Sequence, residues 1–194
     1  MEIKEIEISK LKELKEKSKM LKDERQKGKI VYKIWDIVVV VILAVLADCN
    51  EWEEIAVKGR LLGGCLDCLA TLCGTKFDKV EEFNEKYKED GVLWFLEACD
   101  LNVMGIRRAL WQLDESGWFK NTKGFLIGRP YCHGEEFFGL DQYKAVIDIL
   151  SKYNVPIIMD LDIGHLPPMM PLVCGSVAEA KVKDNSITID MEYK

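Results

Sequence analysis

Hydrophobic and polar positions divide this chain near residue 50. Before that point, residues 1–29 (MEIKEIEISKLKELKEKSKMLKDERQKGK) set Ile, Leu and Met three and four positions apart in a background of Lys and Glu. That spacing lines one face of an amphipathic helix. Ile37 to Ala47 (IVVVVILAVLA) is an unbroken apolar run. Its β-branched residues suit a buried strand, and period alone does not separate that from a buried helix. From about residue 52 short β-type runs alternate with helical patterns, the grammar of an α/β or α+β domain. Strands are predicted at 55–62, 92–97, 123–129, 155–162, 172–180 and 186–191, and helices near 65–73, 79–88, 102–115 and 140–153. The last helix starts behind Gly139 and stops before Pro156, which cannot continue it. The expected organisation is a charged helix plus an apolar segment over 1–49, followed by an α/β domain over 50–194.

Composition narrows the function classes. With 194 residues, 48% hydrophobic and 31% charged, the chain reads as globular, with enough apolar content for a sizeable core. A net charge of -6 and a pI near 5.1 argue against a nucleic-acid surface, which needs a basic patch. The seven cysteines are an odd count, and no basic n-region with a small-residue cleavage site opens the chain. A reducing, cytoplasmic compartment is therefore expected. Ile37 to Ala47 falls well short of the ~20 residues a membrane helix needs, so no membrane attachment is expected.

Two residues draw attention as chemistry. Glu97 closes the predicted strand VLWFLE, at a sheet rim where functional side chains tend to be held. Taken alone, an acid at a strand end is no signature. His165, one of two histidines, follows the apolar run VPIIMDLD, after Gly164 and before Pro167 and Pro168. A loop permissive on one side and stiffened on the other suits an imidazole that must hold one orientation. Such a ring moves protons near neutral pH when a carboxylate fixes its tautomer. Glu97 is the candidate orienter, with Asp160 and Asp162 as rivals that strand alternation can turn away. Cys65 and Cys68 have C-x-x-C spacing, but a closed zinc site needs four ligands, and Cys132 with His133 lacks matched spacing. These thiols read as structural, on an apolar helix face. Trp94, Trp111 and Trp118 read as core aromatics, and Gly63–Gly64 as a tight turn.

The stretches GRLLGGCLDCLATLCGT, VLWFLEACD, IRRALWQLDESGWF, KGFLIGRP and VPIIMDLDIGHLPPMMPLVCGS occur in that order. Together they resemble the C-terminal domain of the LD-carboxypeptidase family, serine peptidases that include muramoyltetrapeptide carboxypeptidases and microcin-immunity peptidases. The resemblance covers about three quarters of the chain, from Asn50 onward. It implies a swivelling β/β/α-type domain and a Ser-His-Glu triad whose acid and base match Glu97 and His165. Arg108 matches the arginine that follows the glutamate motif. The implied reaction is cleavage of an amide between an L- and a D-residue, as in murein peptides, by acyl transfer to serine. No cofactor and no metal are implied.

Departures from the family pattern bound that reading. The family carries its serine on a Gly-x-Ser-Asp turn in a separate N-terminal domain, and no such turn occurs in this chain. Ser9 and Ser18 lie in the charged helix, and Cys49 lacks the turn. Cys65 stands where the family usually has the asparagine of Gly-Gly-Asn-Leu. Alone, a chain with base and acid but no nucleophile is expected to be close to inert. The expected partners are a peptide substrate, a separately made N-terminal domain that supplies the serine, and a second copy of the chain in a homodimer. The alternative is a non-catalytic remnant or interaction module.

Overall fold

Residues 17, 55–183 and 186–193 are described in this computed structural model. The chain divides into two units, Met1–Glu53 and Glu54–Lys194, and the second is described here. The charged helix and apolar segment expected over 1–49 lie outside the described residues, Lys17 excepted.

Six strands form one sheet: β1 (Ile55–Cys65), β2 (Val92–Glu97), β3 (Thr122–Gly128), β4 (Ile157–Leu161), β5 (Val177–Lys183) and β6 (Ser186–Glu192). The order across the sheet is β4-β3-β2-β1-β5-β6. The pairs β1–β2, β2–β3 and β3–β4 are parallel, whereas β5 and β6 run antiparallel to their neighbours. Four α-helices among the described residues lie between them: α1 (Leu66–Leu72), α2 (Val80–Lys86), α3 (Val103–Glu115) and α4 (Gln142–Leu150), the last followed by a 3-10 turn at Ser151–Tyr153. This is the α/β class expected from the alternating pattern.

The reasons are local. VLWFLE in β2 and GFLIG in β3 are almost wholly buried, as central parallel strands covered on both faces must be. Asn102 caps α3 by accepting from Gly105 N at 2.9 Å, and Asp141 caps α4 by accepting from Lys144 N at 2.8 Å. On one face of the sheet, Trp94, Phe119 and Phe125 pack edge to face, with ring centroids 5.2 Å apart, beneath Leu110 and Leu113 of α3 and Val146 and Leu150 of α4. On the other face, Leu61, Leu93, Leu126 and Ala178 are covered by Ile187, Ile189 and Met191 of β6, so the sheet curls over its own second core.

Four expectations are corrected. Gly63 and Gly64, expected as a tight turn, lie within β1, paired with Phe95 and Leu96 of β2. The strand expected at 172–180 begins only at Val177, because Val173–Ser176 forms a turn. Ser176 N and Oγ both donate to Val173 O, and Gly175 holds φ +86°. Trp111, expected in the core, lies 55% exposed on α3. Cys68 is exposed rather than buried on an apolar face, because the short helix α1 buries only Leu66.

Candidate active site

The carboxyl ends of the four parallel strands converge on one rim. Cys65 is the last residue of β1 and Glu97 the last of β2, and the parallel register sets them side by side. Gly128 closes β3, paired with Leu161 of β4, and the chain leaves β4 through Asp162, Ile163 and Gly164 to His165. Side chains at such strand ends are anchored by the sheet yet face the loops, where a ligand can reach them.

His165 and Glu97 meet there. Imidazole Nδ1 lies 2.9 Å from Glu97 Oε2, across 68 residues of sequence. Glu97 is buried, with its side chain 7% exposed, whereas that of His165 is 48% exposed. The imidazole is thus fastened on one nitrogen, and Nε2 has no hydrogen-bond partner among the described residues. Its pKa lies above the ordinary value near 6.5, first because of the hydrogen bond to Glu97 and then because of that carboxylate's charge. Tyr131 Oη donates to His165 O at 3.4 Å, and the two rings sit 6.4 Å apart.

Two glycines permit the contact. A Cβ on Gly164, whose φ is +105°, would fall 2.6 Å from Glu97 Oε2. One on Gly128 would fall 2.3 Å from Ile163 O and 2.9 Å from Glu97 Cβ. Any larger residue at either place would push the 162–165 segment off the end of β2. The rival carboxylates are engaged elsewhere: Asp160 accepts from Tyr143 Oη and Asp162 from Arg129, each at 2.6 Å. Arg108 is exposed on α3.

A neighbour that spacing did not connect to the pair completes the rim. Cys65 Sγ, a Glu97 carboxylate oxygen and a His165 ring nitrogen lie within 4.8 Å of one another. Cys65 donates to Asp67 Oδ2 at 3.3 Å, and Asp67 also accepts from Cys99 N at 3.0 Å and Asp100 N at 2.9 Å. Burial, then the Asp67 hydrogen bond, pushes the Cys65 thiol up to about 12. Asp67 itself is held below the usual carboxylate range: burial works to raise it, but the donated N–H groups and the thiol outweigh that. Asp67 thereby pins the turn that follows Glu97. The sequence signal for Cys65 was its place at the asparagine of the family's Gly-Gly-Asn-Leu stretch; Asp67 offered none. Behind Glu97 a cavity of about 20 Å³, with room for about one water, is walled by Leu66, Leu96, Ile106, Ile127 and Met159.

Comparisons with known proteins bear on the family and the fold. A family model described as the LD-carboxypeptidase C-terminal domain matches residues 58–180, more than half of the chain. The chain belongs to the LD-carboxypeptidase family. A Streptomyces coelicolor protein whose name assigns it to the carboxypeptidases is 30% identical over 133 residues, which cover 69% of this chain and 40% of that one. The muramoyltetrapeptide carboxypeptidase of Oxalobacter formigenes superposes with a TM-score of 0.56 at 27% identity, covering 73% of this chain and 46% of its own. The microcin C7 self-immunity protein shares the fold, with a TM-score of 0.56 at 19% identity over 71% of this chain and 39% of its own. The chain spans less than half the length of these relatives. A second family model, described as DDE_Tnp_1-associated, matches residues 16–63. Among the described residues, no helix is long and apolar enough to cross a membrane.

Proposed function

We propose that this domain is the acid–base part of an LD-carboxypeptidase site and works with a serine supplied by a separate chain. His165 Nε2 takes the proton of that serine hydroxyl as its oxygen attacks the carbonyl of an L,D-amide. Glu97 holds Nδ1–H and stabilises the imidazolium that forms. The proton then passes to the leaving amine of the D-residue, and water, deprotonated by the same imidazole, releases the acyl group. The observation that carries this reading is the 2.9 Å contact between a buried carboxylate and a half-exposed imidazole whose second nitrogen has no partner among the described residues. Substrates are murein-derived or related peptides ending in a D-amino acid.

The test is a mixture. Purified chain is combined with an LD-carboxypeptidase N-terminal domain that carries Gly-x-Ser-Asp, and release of a free D-amino acid from an L,D-peptide is followed. Turnover is expected in the mixture, none from either part alone, and none when His165→Ala replaces the wild-type chain. A mixture that stays inactive defeats the proposal.

A second reading has one observation in its favour. The match of residues 16–63 to a model named for an association with DDE_Tnp_1 is foreign to the peptidase pattern. In this reading a rearranged gene has joined unrelated N-terminal residues to a peptidase domain, leaving a non-catalytic remnant. Failure of the nucleophile-bearing domain to bind the chain at all, in a sedimentation experiment, is its expected signature.

A further inference from the structure

From the rim geometry we infer that Cys65, Glu97 and His165 form a three-ligand site for a thiophilic divalent cation, of which Zn²⁺ is the best fit. The inference stands on the chain's own residues and does not depend on peptidase activity.

The three donor atoms come from segments far apart in sequence, yet all lie within 4.8 Å of one another. A tetrahedral zinc, with bonds near 2.3 Å to sulfur and 2.0–2.2 Å to nitrogen or oxygen, spaces its ligand atoms roughly 3–4 Å apart, so the cluster closes on an ion by side-chain rotation alone. Two of the three ligands are fixed by the sheet, because Cys65 and Glu97 are register partners at the ends of β1 and β2. The third, His165, is half-exposed and can settle onto an ion.

Donor chemistry selects the metal. A thiolate disfavours Mg²⁺ and Ca²⁺, which take oxygen, whereas a Cys, His and carboxylate set suits zinc. On binding, the Cys65 thiol loses its proton to solvent and the ion takes up the charge of the thiolate and of the buried Glu97. The turn beside the cluster is held independently of the thiol: Asp67 Oδ2 accepts from Cys99 N and Oδ1 from Asp100 N, bonds that remain when Cys65 gives up the S–H it donates to Asp67. Three protein ligands leave a fourth position for water on the exposed side of His165. The C-x-x-C spacing does not define this site, since Cys68 is exposed and lies outside the cluster. Binding uses the same imidazole and carboxylate that the proposed proton transfer needs, so the metal-loaded and hydrolytic states exclude each other.

The experiment needs only the full chain, reduced and stripped of metal. Titration with Co²⁺ is expected to give a saturating sulfur-to-cobalt absorption band in the near ultraviolet, with visible bands of tetrahedral cobalt, and Zn²⁺ is expected to displace them. Cys65→Ser should abolish the sulfur band, and Glu97→Gln and His165→Ala should each weaken Co²⁺ binding by at least about tenfold. Cys68→Ser should change nothing. A band that survives Cys65→Ser, disappears with Cys68→Ser, or never forms in the folded wild-type chain overturns the inference. Should Cys65→Ser fail to fold, His165→Ala decides: it alters an exposed loop residue, and unchanged affinity there sinks the site equally.

Discussion

The parallel and antiparallel halves of the sheet differ in what they carry. Strands β1 to β4 run the same way, so their carboxyl ends gather on one rim, and Cys65, Glu97, Gly128 and the segment leading to His165 all arrive there. Strands β5 and β6 turn back on each other; β5 is largely buried, the residues of β6 alternate between solvent and an apolar layer, and neither contributes to the site. Parallel strands must each be re-entered from the far end, which forces every loop on one side to be a strand exit; an antiparallel hairpin sends its loops to both ends. Chemistry therefore collects on the first half, and the second half serves as a cover for the core below it.

Substitutions in each half sharpen that contrast. The largest effect is expected from Phe125→Ala in β3, a fully buried ring, which should lower unfolding free energy by about 3–5 kcal/mol in urea titrations. A loss in Ile187→Ala on the cover strand as large as this would break the division of labour. Next comes Gly164→Ala, where a positive φ and the clash with Glu97 combine; a loss of about 1–3 kcal/mol is expected. It should also separate imidazole from carboxylate, visible as a change in His165 ring nitrogen shifts.

Glu97→Gln acts on charge rather than packing. In metal-free protein the His165 titration midpoint, followed by NMR, should lie above 6.5 and fall toward that value in the variant. Because the folded value is raised, the contact with Glu97 contributes stability that is fully present below the unfolded value near 6.5 and is lost as pH rises through the folded value. Glu97→Gln should abolish that dependence. The smallest effect belongs to Thr188→Ala on the exposed face of β6, expected to stay within about 0.5 kcal/mol and to leave the His165 titration untouched.

Much of the fold was legible from pattern. The run VLWFLE is apolar enough to require cover on both faces, and the helix expected over 102–115 is the observed Val103–Glu115 with Asn102 as its cap. Where pattern failed, a tertiary cause is identifiable. Trp111 carries the same amphipathic signal as its neighbours, but no element among the described residues buries it on that side of α3. LVCGS has strand-like composition, yet Gly175 and the Val173–Ser176 hydrogen bonds make a turn of it.

The sequence by itself determined the elements, the acidic character, the family and the two residues worth watching, because periodicity, composition and ordered motifs are properties of neighbours along a chain. Only the tertiary structure decided that the partner of His165 is Glu97 rather than Asp160 or Asp162, and that Cys65 stands beside them instead of pairing with Cys68. Those outcomes depend on parallel register and on two missing Cβ atoms, which bring segments 68 residues apart to within 2.9 Å. Spacing along the chain does not encode such a convergence; the geometry of strand exits at one rim does.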